Sequence, residues 1–169
     1  DIADIQTFES LNDSAAISAV GAIEPDVTLV YGTGLLGKAI LGQCGVTCLN
    51  FHNGDAEEYR GLDCHLWPLY HRDFEALKIT LHWVEPTLDT GAIVDRQPLP
   101  LSKDMPLSDL RRVATELTVK MAISALREYA ENGEILSTPQ RRRGRYYSYM
   151  PAVLKDICVR NFERYTSAL

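Results

Sequence analysis

Asp26-Val27-Thr28-Leu29-Val30-Tyr31, running into Gly32-Thr33-Gly34, is the stretch from which the fold can be read. A short, β-branched, nearly all-apolar run marks a strand buried on both faces in a parallel sheet. Residues 36–43 can form a short helix after it, and Val46-Thr47-Cys48-Leu49-Asn50-Phe51 reads as a second buried strand. Strand, helix and strand in that order are the signature of an α/β fold. Upstream, Ile17, Val20 and Ile23 recur at helical spacing over residues 14–23, with Asn12, Asp13 or Ser14 available as a cap and Pro25 closing the segment.

Downstream, residues 54–61 are polar and read as a loop, and residues 62–77 as a helix interrupted at Pro68. Residues 78–84 and 92–97 read as strands flanking the turn Leu88-Asp89-Thr90-Gly91. Pro106 opens a long helix ending at Gly133, whose stripe Leu107, Leu110, Ala114, Leu117 and Met121 should dock on the sheet. The remainder is irregular, basic over residues 141–145, and helical over residues 152–165.

The 169 residues suit one globular domain, with a core over residues 1–133 and an extension over residues 134–169. The apolar fraction of 46% and charged fraction of 24% are ordinary globular values that indicate neither a disordered chain nor a membrane protein, and no run approaches the ~20 apolar residues that span a bilayer. A net charge of -6 argues against a general nucleic-acid partner, which must neutralise phosphates. Cys44, Cys48, Cys64 and Cys158 contain no CxxC pair, and read as reduced thiols of a cytoplasmic protein. The chain opens on Asp1 rather than Met, so a longer product is expected.

Ligands of open α/β sheets bind beyond the carboxyl ends of the strands. Asn50 and His52 lie at one such end, two residues apart and hence on one side of an extended segment. Asp89 ends another strand region in a turn that can bend closely around a ligand. An amide donor and a histidine beside a carboxylate can perform acyl transfer. The donors stabilise charge developing on a carbonyl oxygen, and the carboxylate raises the imidazole pKa or receives the proton that an attacking amine sheds.

Asn50-Phe51-His52-Asn53-Gly54, then Tyr59-Arg60-Gly61, His82-Trp83-Val84 and Leu88-Asp89-Thr90-Gly91, together resemble the formyltransferases that use 10-formyltetrahydrofolate. The resemblance covers roughly residues 25 to 130, with the motifs in the same order. It implies a Rossmann-like fold with a mostly parallel sheet flanked by helices. It also implies that Asn50 and His52 bind the formyl oxygen and Asp89 steers the proton. The pterin of 10-formyltetrahydrofolate would lie against Tyr31, Gly32, Gly34, Leu35 and Leu36 on one side and Val84, Glu85, Pro86 and Leu88 on the other. Asn53, Tyr59 and Arg60 would face the acceptor.

The chain departs from the family at Asn53-Gly54-Asp55-Ala56-Glu57-Glu58, where relatives carry Ser-Leu-Leu-Pro after the histidine. Only 49 residues precede Asn50, too few for the usual further strands at ~30 residues per βαβ unit, so N-terminal strands are expected to be missing. The stretch after Gly133 is too short for the RNA-gripping barrel of the transferases that act on initiator tRNA. This favours a small amine acceptor, and residues 53–61 with the tail Arg145-Tyr146-Tyr147-Ser148-Tyr149-Met150-Pro151 resemble members associated with modified sugars, which implies a nucleotide-linked amino sugar of polysaccharide biosynthesis. The expected partner is therefore a small molecule, with no membrane and no metal, and with room for a homo-oligomer. A formyltetrahydrofolate hydrolase using the same three residues, and a folate- or partner-binding fragment without turnover, are the rival readings.

Bland roles are expected elsewhere. His65, His71 and His82 read as polar or packed histidines, because no zinc-like spacing connects them. Tyr146, Tyr147 and Tyr149 read as packing residues, and the Arg141 to Arg145 run as a solvated cluster.

Overall fold

The computed structural model describes residues 5–169. Its main sheet contains β1 (Val27–Tyr31), β2 (Thr47–His52), β4 (Lys78–Trp83) and β5 (Ile93–Pro98), in that order. A second ladder pairs β3 (Tyr59–Gly61) with β6 (Arg145–Tyr147). The alternation of side chains along β2 and β4 places the site. Leu49 and Phe51 of β2 and Ile79 and Leu81 of β4 enter the larger core. Successive residues point to opposite faces, so Asn50, His52, Thr80 and His82 share the other face. The register brings them opposite one another, Asn50 against His82 and His52 against Thr80. A one-residue slip would drive this polar set into the core.

Helices cover both faces. On the larger core lie α3 (Trp67–His71), α4 (Leu110–Asn132) and α5 (Ala152–Thr166), with Leu69, Leu110, Met121 and Phe162 buried there. On the other face, α1 (Ser14–Ile23) and α2 (Lys38–Leu41) enclose a smaller core of Val30, Ile40, Cys44 and Cys48. Ile17 and Val20 of α1 pack against it, whereas Ile23 is exposed. Asn12 does not cap α1. Its side chain accepts from the Gly37 amide at 2.6 Å and donates to the Leu35 carbonyl at 2.9 Å, tying the entry of α1 to the loop after β1.

The α/β architecture agrees with expectation, but the mostly parallel sheet expected is instead mixed, because β4 runs antiparallel to β2 and joins β5 as a hairpin. β1 and β2 are parallel, while β2–β4 and β4–β5 are antiparallel. The chain between β2 and β4 doubles back, and the turn after Trp83 returns it as a hairpin. The helix expected over residues 62–77 shrinks to α3 and a 3₁₀ turn at Phe74–Ala76. Left-handed backbone at Asp63 and Arg72 bounds it, and Pro68 starts rather than interrupts it, since the first helical turn needs no amide donor there. In α4, Leu110, Ala114 and Met121 are buried as expected, with Val113, Thr118 and Ala125 beside them. Gly133 ends the helix at φ 72°.

The expected polar loop 54–61 is the largest difference. Asp55, Glu57, Tyr59 and Arg60 are buried, and the segment ends as β3. Asp55 pairs with Lys78 at 2.9 Å and with Arg96 at 2.7 Å, and Glu57 pairs with the same Arg96 nitrogen at 2.8 Å. Paired carboxylates tolerate burial that isolated ones would not.

Candidate functional site

The strand ends open into a cavity of about 490 Å³ with Asn50, His52, His82 and Asp89 in its wall. Asp89 is presented by a left-handed backbone at φ 54°, which aspartate tolerates better than most residues. The turn is pinned from several sides. Gln140 donates to the carbonyls of Asp89 and Gly91 at 2.9 Å each, and Arg60 donates to the Leu88 carbonyl at 2.9 Å. Gly91 sits so close to the Trp83 carbonyl that a Cβ would collide with it.

The Asp89 carboxylate lies between two imidazoles. His52 Nδ1 is 3.5 Å from Oδ2 and His82 Nε2 is 3.5 Å from Oδ1, while the Gly61 amide donates to Oδ2 at 2.8 Å. Burial would raise the Asp89 pKa, but His82, His52 and the Gly61 amide outweigh it and hold the carboxyl down to about 2. Burial likewise lowers the His52 pKa, against the pull of Asp89. His52 Nε2 donates to the Tyr59 carbonyl at 2.7 Å. A neutral ring with its proton there turns the Nδ1 lone pair toward Asp89, so this gap becomes a hydrogen bond once a proton enters it.

His82, expected to be a polar or packed histidine, is buried and also stands in the cavity wall beside Asp89. Its Nδ1 donates to the Trp83 carbonyl at 2.8 Å, which leaves Nε2 to accept from Asn50 Nδ2 at 3.1 Å. The readable signal was its alternation with Ile79 and Leu81, which sets it on the polar face. The other bland histidines stay apart from Asp89, although His65 lines the same cavity.

Of the residues expected around the donor, Gly32, Gly34, Leu35 and Leu36 line one end of the cavity from the β1 side. Val84, Glu85 and Leu88 line it from the β4 side. Tyr31 lines an adjoining cavity of about 340 Å³ instead, and Pro86 is exposed outside both linings. Asn53 borders both cavities, and among the described residues its buried Oδ1 has no hydrogen-bond partner. Tyr59 and Arg60 do not line the cleft. Tyr59 stacks on Tyr147 at 5.2 Å and donates its hydroxyl to Asp73 at 3.0 Å. Arg60 bridges the carbonyls of Gly144, at 2.6 Å, and Leu88, so it braces the turn that carries Asp89, while Tyr59 packs on the opposite face of β3.

The family model described as formyl transferase matches residues 5–126. The chain belongs to the formyl transferase family. The similarity of this formyl transferase chain to methionyl-tRNA formyltransferase of Ralstonia nicotianae is 29% identity, over 92% of the chain and 47% of that protein. With the Ralstonia pickettii enzyme of the same name it is 30%, over 91% and 46%. The chain thus spans about half the length of these relatives. Among solved structures, the formyltransferase PseJ from Anoxybacillus kamchatkensis, in complex with UDP-4,6-dideoxy-4-formamido-L-AltNAc and tetrahydrofolate, superposes with a TM-score of 0.61 at 21% identity. The match covers 72% of this chain and 64% of that one. HypX from Aquifex aeolicus, in complex with tetrahydrofolic acid, gives 0.65 at 20%, covering 82% and 24%. These likenesses establish the Rossmann-like formyltransferase fold. No helix of the described residues is long and apolar enough to cross a membrane.

Proposed function

We propose that the protein transfers a formyl group from 10-formyltetrahydrofolate to a primary amine on a small acceptor, a nucleotide-linked amino sugar. The observation that carries this reading is the convergence of Asn50, His52 and Asp89 in one cleft of a formyl transferase family chain.

The cleft suits the donor. Val30, Leu36, Val84 and Leu88 supply apolar walls, and Gly32 and Gly34 leave backbone open, with nothing within 4 Å of where a Cβ would stand. A flat pterin with a polar edge needs such a slot with main-chain partners. The donor supplies a formyl carbon on nitrogen that is open to attack by an amine.

As the acceptor nitrogen bonds to that carbon, negative charge grows on the formyl oxygen. Asn50 Nδ2 has one hydrogen engaged by His82 and a second free to point at this oxygen. The attacking nitrogen must lose a proton. The gap between His52 Nδ1 and Asp89 Oδ2 can receive it, and a protonated His52 then adds positive charge beside the oxygen. The bond from carbon to the folate nitrogen breaks, and that nitrogen takes up the proton, so tetrahydrofolate leaves and the amine keeps the formyl group.

A small acceptor is favoured by the net charge of -6, which opposes the phosphates of tRNA. The UDP-sugar in the PseJ complex and the dTDP present with WlaRD, a sugar 3N-formyl transferase with TM-score 0.57, support the same choice. The methionyl-tRNA formyltransferase relatives pull the other way. The test is release of tetrahydrofolate with and without amino-sugar nucleotides. Release that requires the amine is expected. Equal release without it would identify a hydrolase, and no release in either case would overturn the proposal.

A further inference from the structure

We infer that Tyr146 and Tyr149 form the acceptor platform of this cleft, with the amine-bearing sugar ring of a nucleotide-linked sugar lying on Tyr146. The inference rests on the formyl-transfer reading and adds which residues choose the acceptor. The donor end of the cavity is built by the loops after β1 and β4. The wall of the same cavity also carries Gly61, Asp63, Tyr146 and Tyr149.

The two tyrosines differ from the other aromatic residues near them. Tyr147 is committed to packing, stacked on Tyr59 and 4.9 Å from Trp67. Tyr146 points the other way along β6, as strand alternation requires, and is 52% exposed, while Tyr149 is 71% exposed. Among the described residues neither ring stacks on another, and neither hydroxyl has a hydrogen-bond partner. The backbone that carries them is anchored, that of Tyr146 by its pairing with Arg60 in the β3–β6 ladder. Trp67 Nε1 donates to the Ser148 carbonyl at 2.9 Å, and the Met150 amide donates to Asp63 at 2.9 Å, so the backbone on either side of Tyr149 is held.

Tyr146 lies directly on Gly61, with its Cε2 2.8 Å from where a Cβ would stand. The Gly61 amide in turn donates to Asp89. One residue therefore separates the Tyr146 ring from the carboxylate that handles the amine proton. An aromatic ring with a wet face beside a polar centre suits the C–H face of a pyranose, and an anchored backbone reduces the freedom lost on binding. A sugar seated on Tyr146 holds its amine toward Asp89, and Tyr149 meets the nucleoside beyond it.

The test uses the full chain, with dTDP- and UDP-linked amino sugars as probes and with Tyr146→Leu, Tyr149→Leu and the corresponding Phe variants. Each Leu variant should raise the acceptor KM about 10-fold, the scale of one lost ring contact, with kcat and folate affinity unchanged. Phe should restore the wild-type KM, because the ring face and not the hydroxyl makes the contact. An unchanged acceptor KM in both Leu variants overturns the platform, as does parallel weakening of folate binding. So does wild-type protein that binds no sugar nucleotide, or a pair of Leu variants that weaken use of methionyl-tRNA and leave use of sugar nucleotides unchanged. If the probes bind in a tyrosine-dependent way and no formyl transfer follows, the platform stands and the formyl-transfer reading falls.

Discussion

Asn50 and His82 face each other across the β2–β4 ladder, and the Asn50 amide donates to His82 Nε2 at 3.1 Å. This bond fixes the direction in which the second Asn50 hydrogen points. His82→Leu should free the amide to rotate and lower kcat by about 10- to 100-fold, a usual consequence of misplacing one group at a reacting centre. Steady-state kinetics with the donor varied should show its KM within about twofold of wild type. A fall confined to KM would contradict the role.

Asp89→Asn keeps the shape of the side chain and removes its capacity to take a proton. The expected loss in kcat is about 10²- to 10⁴-fold, with folate affinity retained in a direct titration. Full activity in this variant would remove Asp89 from the proton path.

His52 is buried with its pKa below the ordinary value of 6.5, whereas the unfolded chain titrates at that value. Below pH 6.5 the unfolded state binds the additional proton, so stability should decline as pH falls from 6.5 toward the folded-state pKa. Asp89, held at about 2 against 3.8, acts in a lower window, and its contribution is complete above pH 3.8 and fades as pH falls toward 2. Urea unfolding between pH 8 and pH 5 should show the first decline, and His52→Gln should flatten it.

Arg96 balances both Asp55 and Glu57 inside the segment after β2. Arg96→Met leaves two buried carboxylates with Lys78 as their remaining ion-pair partner, at Asp55 alone. A loss of about 3 kcal/mol in denaturant unfolding is expected. Adding Asp55→Asn and Glu57→Gln to that variant should recover part of it.

Gly91→Ala drives a Cβ against the Trp83 carbonyl and must displace the turn that carries Asp89. Stability should fall by about 1–3 kcal/mol. At temperatures where the variant remains folded, kcat should fall while the far-ultraviolet circular dichroism is unchanged.

Much of this arrangement is legible without coordinates. The apolar runs at residues 27–31 and 47–52 and the helical spacing of α4 with its closing Gly133 follow local rules of period and turn chemistry, and the motif order from Asn50 to Gly91 is legible as a family resemblance. The Asn50 and His52 pair is visible because a spacing of two on a strand is enough to put two side chains on one face.

Residues 54–61 read as a solvated loop because Asp55, Glu57 and Glu58 are acidic, and nothing local reveals that Arg96 arrives from β5 to neutralise two of them. Tyr59 and Arg60 carry the residue types of a binding site, yet β6 comes back from far along the chain and draws both into contacts away from the cleft. His82 shows no metal-like spacing, and its role appears only when β4 is laid antiparallel to β2 in the one register that sets it opposite Asn50. The sequence by itself determined most of the elements and the polar residues that could gather at the strand ends, because periodicity and turn chemistry are local. The tertiary structure alone decided which charges are paired, which histidine meets the carboxylate, and which tyrosines face the cleft. Those outcomes depend on strand pairings between residues far apart in the chain.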